Sequence, residues 1–409
     1  MTIVSSNPQT LYVTRNGLLE PLGQSQVMGY LRGLSREYKI TLITYEKDED
    51  WADREAMSSA RNDCKACGIR WLPQRFRARP RFIAPALSML RMIWLVWREV
   101  RDGRAELIHA RSYIPAAVAL AVNRITGAPF IFDMRALWPE ELITASRLKR
   151  DSFLHRTIIA VERACLKRAA TVVSLTHAAA EYLRLQYPAE LLQQHIVVIP
   201  TCADLDRFTP APNSAKGPIV HGCIGTILSG WFRTEWLAAW LSTVFRQDPV
   251  AQFDIVTRDN ANSVLLAIDP NNRLSDRLTI ASRPTEMMPE AVRTHSLSVM
   301  FFTDGLSKLG SAPTRLGEVL GCGLPVVANE GVGDVAKIIN DHRVGVLVKS
   351  DSKDDMAQAY KALVELLRDH DLPQRCRNAA EEIFSLAKGT EAYREIYSRT
   401  LGDDSKQTS

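Results

Sequence analysis

Arg315 and Glu318 stand one helical turn apart, just behind the small and turn-forming run Ser311-Ala-Pro-Thr314. Such a run is suited to opening a helix. The start of a helix offers unpaired backbone N–H groups and the positive end of its dipole, and an arginine beside them completes a seat for a diphosphate. A carboxylate one turn in can accept hydrogen bonds from sugar or ribose hydroxyls. Gly321 and Gly323 stop the helix, and Pro325-Val-Val-Ala328 follows as a short apolar strand. A phosphate clamp next to a hydroxyl-reading carboxylate suits a nucleotide sugar. The alternative is an ordinary helix and strand with a charged start.

Other residues with chemistry fall where strands run out. Leu11-Tyr-Val13 reads as a buried strand leading into Thr14-Arg-Asn-Gly-Leu-Leu-Glu-Pro-Leu-Gly-Gln-Ser-Gln26, with a helix expected from about Val27. Gly17 and Gly23 permit close backbone approach, and Gln24 or Ser25 can help cap the helix. Asp133 and Arg135 end the apolar run Phe130-Ile-Phe, where charged side chains suit acceptor binding or an internal ion pair. Arg258 follows Phe253-Asp-Ile-Val-Thr257 and reads as a phosphate contact or a surface ion pair.

The elements that would position these groups alternate along the whole chain. Strand-like runs are expected at Lys39–Thr44, Glu106–His109, Phe130–Asp133, Thr171–Leu175 and His195–Ile199. More follow at Phe253–Val256, Leu297–Phe302, Pro325–Ala328 and Val344–Val348. Strands separated by helical segments imply parallel sheets wound on both faces, an α/β class. With 409 residues the chain is long enough for two domains. A Pro-, Thr-, Ala- and Ser-rich stretch from Pro200 to Gly217 reads as their boundary. The expected division is 1–205, 206–385, and a last segment 386–409 made of a helix and a polar tail.

Composition limits the function classes. Hydrophobic residues make up 46% and charged residues 24%, as in an ordinary globular protein. No apolar run is long enough to span a membrane, and the first residues lack the pattern of a secretory leader. The seven cysteines are odd in number and scattered, which fits reduced thiols and a cytoplasmic protein. Cys64-Lys-Ala-Cys67 has no second pair at zinc-finger distance, and no metal site is expected. A net charge of +5 is too small to point to nucleic acid. Arg75, Arg77, Arg79 and Arg81, however, precede an amphipathic segment carrying Met89, Leu90, Trp94 and Trp97. Such a surface suits anionic lipid headgroups, unless it is a buried helix with a solvated arginine edge.

The segment Pro313-Thr-Arg-Leu-Gly-Glu318 with Gly321-Cys-Gly-Leu-Pro-Val-Val327 resembles the donor motif of family 4 retaining glycosyltransferases, in the bacterial polysaccharide branch. Val198-Ile-Pro-Thr-Cys-Ala-Asp-Leu-Asp-Arg-Phe-Thr-Pro210 resembles that family's interdomain segment, and Glu391–Tyr397 its last helix, which crosses back to the first domain. The resemblance implies the GT-B fold, two Rossmann-like doubly wound domains facing a cleft. It implies a nucleoside diphosphate sugar as donor substrate, no cofactor and no metal. Ser311, Pro313, Thr314 and Leu316 would bind the donor, with Arg315 and Glu318 catalytic. Gly225 and Thr226 belong to a Gly-rich loop ending at Arg233, which would grip the diphosphate with Arg258 as a second cation. Gly23 and Gln24 match the first-domain glycine loop. His109 and Arg111 match an Asp-x-x-His-x-His segment and, with Asp133 and Arg135, would face the acceptor. One departure stands out: the first of the family's two motif glutamates would fall on Gly310, so its sugar contact does not transfer. The expected activity is transfer of a hexosyl group, with retention, to a growing, lipid-linked glycan of the bacterial surface, at the inner face of the plasma membrane. The alternatives are a GT-B nucleotide-sugar epimerase and a noncatalytic subunit of a glycan assembly complex.

Overall fold

The computed structural model describes residues 7–76, 83–211, 217–271, 273–274 and 276–402. They form two compact units. One comprises the chain up to Ile199 and again from Leu386 on, and the other is Pro200–Ser385.

The first unit is a seven-stranded sheet of β1 (Gln9–Val13), β2 (Lys39–Glu46), β3 (Arg70–Arg75), β4 (Leu107–Arg111), β5 (Phe130–Asp133), β6 (Thr171–Ser174) and β7 (Ile196–Val198). Its order is β3-β2-β1-β4-β5-β6-β7, with every pairing parallel. Strands buried on both faces read as continuous apolar runs rather than alternations. β4 and β5 are buried at every position. β3 was not expected: Arg70-Trp-Leu-Pro-Gln-Arg75 is polar and contains a proline. It lies at the sheet edge, paired only with β2, where a missing N–H is tolerated.

The second unit is a six-stranded parallel sheet of β8 (Val220–Ile224), β9 (Gln252–Val256), β10 (Leu278–Ala281), β11 (Leu297–Met300), β12 (Val326–Asn329) and β13 (Gly345–Val348). Its order is β10-β9-β8-β11-β12-β13. Trp236, Trp240, Phe253 and Phe301 fill one face of the sheet, and Leu316, Val319, Leu320 and Phe384 belong to a second cluster. The unit begins at Pro200, ahead of the expected residue 206. Ala203 bridges to Ser385 and donates its N–H to the Phe384 carbonyl at 2.8 Å. Arg377 Nη1 then donates to the carbonyls of Leu205, Phe208 and Gly321 at 3.1, 2.7 and 3.0 Å. These bonds tie residues 203–208 to the second unit.

In each sheet the chain order reverses once, between β1 and β4 and between β8 and β11. Open parallel sheets bind ligands beyond the carboxyl ends of the strands at such a reversal. Gly23, Gln24, His109 and Arg111 lie at the first reversal and Gly225, Thr226, Arg233 and residues 311–316 at the second, while Asp133 and Arg135 follow the neighbouring β5 and Arg258 the neighbouring β9.

Candidate functional site

In the second unit β8 runs into a loop opened by Gly225, whose φ of +141° is closed to most side chains. Asp259 Oδ2 holds that loop, accepting the N–H groups of Ile227 at 2.6 Å and Leu228 at 2.9 Å. Thr226 and Arg258 remain exposed. The loop ends at Arg233, which precedes the helix Thr234–Gln247. Its N–H donates to the Phe301 carbonyl, at the end of β11. Its guanidinium pairs with Asp304 at 2.8 Å and lies over the Trp236 ring at 4.5 Å.

The segment after β11 carries a second cation. Lys308 Nζ sits 3.1 Å from the centre of the Trp231 ring, and the residue is buried. The Lys308 carbonyl accepts the N–H groups of Ser311 and Gly333 at 3.0 and 2.9 Å. It thereby joins the loop after β12 to the start of the helix Thr314–Gly321. Ser311, Pro313 and Thr314 are half-buried at that start, while Leu316 packs into the core. Arg315 is ion-paired with Glu318. Burial pushes the Glu318 carboxyl up, opposed by Arg315 and Arg207. The helix stops as expected: Gly323 has φ +76° and its N–H caps onto Leu320. Arg233 and Arg315 are thus each held by one carboxylate.

The first unit is different. A π-helical turn, Gly23–Met28, runs into a helix at Gly29–Leu34. The helical chain therefore starts before Val27, and Ser25 is no cap: its hydroxyl donates to the Pro21 carbonyl at 2.8 Å. Gly23 abuts Gly17, where a Cβ would come within 2.2 Å of the carbonyl oxygen. Gln24 Nε2 donates to the Leu18 carbonyl at 2.9 Å. Beneath the loop, buried Glu46 accepts the Leu18 N–H at 2.8 Å and the Thr44 hydroxyl at 2.5 Å.

His109, Arg111 and Asp133 are buried together at the ends of β4 and β5. His109 bonds Tyr397 Oη at 2.9 Å and Asp133 Oδ2 at 3.4 Å. Burial lowers its pKa more than Asp133 raises it, so the ring is neutral near pH 7. Tyr393 Oη also donates to Asp133 Oδ2, at 3.1 Å. Burial alone would push the Asp133 carboxyl up; Arg135, the His109 hydrogen bond and Arg111 overcome it and hold it below its usual range. Arg111 and Arg135 each donate Nη2 to the same oxygen, Gln26 Oε1, at 2.9 and 2.7 Å. Two non-glycine residues here have positive φ, Ser112 at 77° and Arg135 at 62°.

With this geometry in place, comparison with known proteins is decisive for the type. Residues 23–202 match the model of the glycosyl transferase 4-like domain, and residues 219–366 that of glycosyl transferases group 1. Between them the two models cover most of the chain. The chain is of the GT-B glycosyltransferase type.

Solved structures share the fold at low identity. A sucrose-phosphate synthase from Thermosynechococcus elongatus matches with TM-score 0.70 and 16% identity, over 97% of this chain and 100% of that one. A glycosyltransferase from Rickettsia africae matches with TM-score 0.70 and 15% identity, over 98% and 100%. The Anabaena protein HepE in complex with UDP matches with TM-score 0.68 and 14% identity, over 96% and 100%. No curated protein sequence matches.

Several groups at these two ends are not evident from the sequence. Asp304 precedes the short helix Leu306–Leu309 that carries Lys308, in a stretch without a motif, and their relevance comes from contact with Arg233 and Trp231. Tyr393 and Tyr397 lie far along the chain, inside the Glu391–Tyr397 segment whose resemblance implies a helix returning to the first domain; their four-residue spacing puts both on one helix face. Gln26 carries a clearer signal, a polar side chain next to the buried run Val27-Met-Gly-Tyr-Leu31. Among the described residues no group of three or more His, Cys, Asp or Glu could hold a metal ion. None of the helices described is long and apolar enough to cross a membrane.

Proposed function

We propose that the protein is a retaining glycosyltransferase that moves a hexosyl group from a nucleoside diphosphate sugar to a lipid-linked glycan in bacterial surface polysaccharide synthesis. The carrying observation is the set of cations at the reversal point of the second sheet. Arg233, Lys308, Arg315 and the start of the helix Thr314–Gly321 all stem from loops after β8 and β11. Fixed positive charge where a leaving diphosphate develops negative charge lowers the barrier directly. Asp304 and Glu318 balance Arg233 and Arg315 before the donor arrives, and the diphosphate would compete for both arginines. Glu318 is then available to accept donor hydroxyls. Structures of the similar Anabaena protein contain UDP or UDP-glucose, which favours a nucleotide sugar as the donor class. The charged end of the first sheet, with Gly23, Gln24, His109, Arg111, Asp133 and Arg135, is assigned to the acceptor.

A membrane-facing surface fits a lipid-linked acceptor. The helix Ile83–Arg101 buries Met92, Leu95 and Val96, yet leaves Leu87, Leu90 and Trp94 exposed. These three share one face with Arg91 and Arg98, and the Arg98 guanidinium lies over the Trp94 ring at 4.8 Å. Arg77, Arg79 and Arg81 lie outside the described residues. A basic face bearing tryptophan and leucine suits the headgroup layer, at the inner face of the plasma membrane.

The test is product formation from nucleotide sugars with lipid-linked acceptors, followed by proton NMR of the new anomeric centre. An acceptor-dependent product with the donor's configuration is expected. Donor conversion without acceptor would show an epimerase, and no conversion of any donor a noncatalytic subunit.

A further inference from the structure

Four guanidinium nitrogens lie buried at the ends of β4 and β5 without a hydrogen-bond partner: Nε and Nη1 of Arg111, and Nε and Nη1 of Arg135. Their side chains are only 5% and 9% exposed. Asp133 approaches both, at 3.7 Å from Arg111 and 3.8 Å from Arg135, too far for a hydrogen bond. Its Oδ2 is already engaged by His109 and Tyr393. The charges do not balance: two guanidinium groups face one carboxylate. The other titratable groups around them, His109, Tyr12 and Tyr393, are neutral near pH 7. What joins the two arginines is one amide oxygen, Gln26 Oε1.

A buried cation short of partners is costly, and so is the backbone strain at Ser112 and Arg135 beside it. Such costs collect where a ligand offsets them. Gln26 belongs to the π-helical turn Gly23–Met28, a geometry frequent at functional sites. Rotation of this one side chain would vacate the point on which both guanidinium groups converge.

We propose that this cluster is an oxyanion site, in which a phosphate or a sugar carboxylate of the acceptor replaces the Gln26 amide oxygen between Arg111 and Arg135. The inference rests on the assignment of this end of the first unit to the acceptor. A neutral hydroxyl needs no such charge, whereas an oxyanion offers several oxygens to two forked donors. The acceptor is therefore an acidic glycan or one reacting close to its phosphate.

The experiment uses the full chain carrying Arg233→Ala and Arg315→Ala, so that the donor-site arginines do not report. It is titrated with inorganic phosphate and, separately, with glucuronate, against chloride at matched ionic strength. At least one of the two anions raises the thermal midpoint more than chloride does. Adding the near-isosteric Gln26→Glu places a carboxylate between the arginines. It raises the midpoint without added anion and weakens anion binding by about tenfold or more. The anion that responds identifies the source, phosphate or carboxylate. The proposal is overturned if neither anion exceeds chloride, or if Gln26→Glu leaves the response unchanged. Transfer activity of Gln26→Glu on the otherwise wild-type chain separates the two levels. Lost anion response with full transfer keeps the anion site and removes the acceptor assignment. Unchanged anion response with transfer lost in Arg111→Gln does the reverse.

Discussion

The two charged ends solve the same problem in opposite ways. In the second unit Arg233 and Arg315 each have their own carboxylate and stay partly exposed, at 18% and 36%. In the first unit two arginines, only 5% and 9% exposed, share one carboxylate and one amide oxygen. Balanced, half-exposed pairs cost little to keep and little to open, which suits a ligand that arrives and leaves as an anion. A buried, unbalanced cluster is dear to assemble and specific in what completes it.

The largest effect follows from breaking the buried side. Asp133→Ala leaves two buried guanidinium groups without a counter-charge and is expected to cost about 3–5 kcal/mol in urea unfolding. Removing Asp304, whose side chain is 63% exposed, should change stability far less. Equal losses from the two substitutions would erase the contrast.

Turnover should respond the other way. Arg233→Ala and Arg315→Ala are each expected to lower kcat on the order of a hundredfold, with the fold retained by circular dichroism. Wild-type kinetics in both would remove these residues from the donor site. Glu318→Gln is expected to weaken donor affinity by about 1.5–3 kcal/mol, the worth of a hydrogen bond to a charged group. An unchanged donor titration would make Glu318 a partner of Arg315 and no more.

The smallest effect separates the two ends by sign. The Asp133 carboxyl is held below its ordinary value, so its stabilisation is present above about pH 4 and is lost as pH falls through the folded value. The Glu318 carboxyl is raised by burial against the pull of Arg315. Its contribution is complete below its ordinary range and is lost as pH rises through the folded value. The stability difference between wild type and Asp133→Asn should therefore grow with rising pH. The difference between wild type and Glu318→Gln should shrink. Parallel slopes in urea midpoints would contradict these assignments.

How much of this was legible in the sequence also differs between the ends. The helix start at Thr314, its glycine stop and the strand Val326–Asn329 follow from local rules, because caps, turns and short apolar runs act over a few residues. The alternation of strands and helices reveals the parallel sheets for the same reason. Edge strand β3 escaped because sheet-edge burial is slight and its residues are polar. The first-unit cluster was legible only in part. Asp133 and Arg135 mark a strand end, but the partners that give them and His109 meaning, Gln26, Tyr393 and Tyr397, come from over a hundred to nearly 300 positions away. No local pattern encodes contacts at that separation.

The second unit is proposed to hold a nucleotide-sugar donor through Arg233 and Arg315. The most direct measurement is the thermal midpoint of the pure protein against a panel of nucleotide sugars, repeated for Arg233→Ala and Arg315→Ala. Ligand binding to the folded state raises the midpoint by mass action. The expected result is stabilisation by one donor that is greatly reduced in both variants. A panel in which no donor stabilises the wild type, or a shift that both variants retain in full, would contradict the claim.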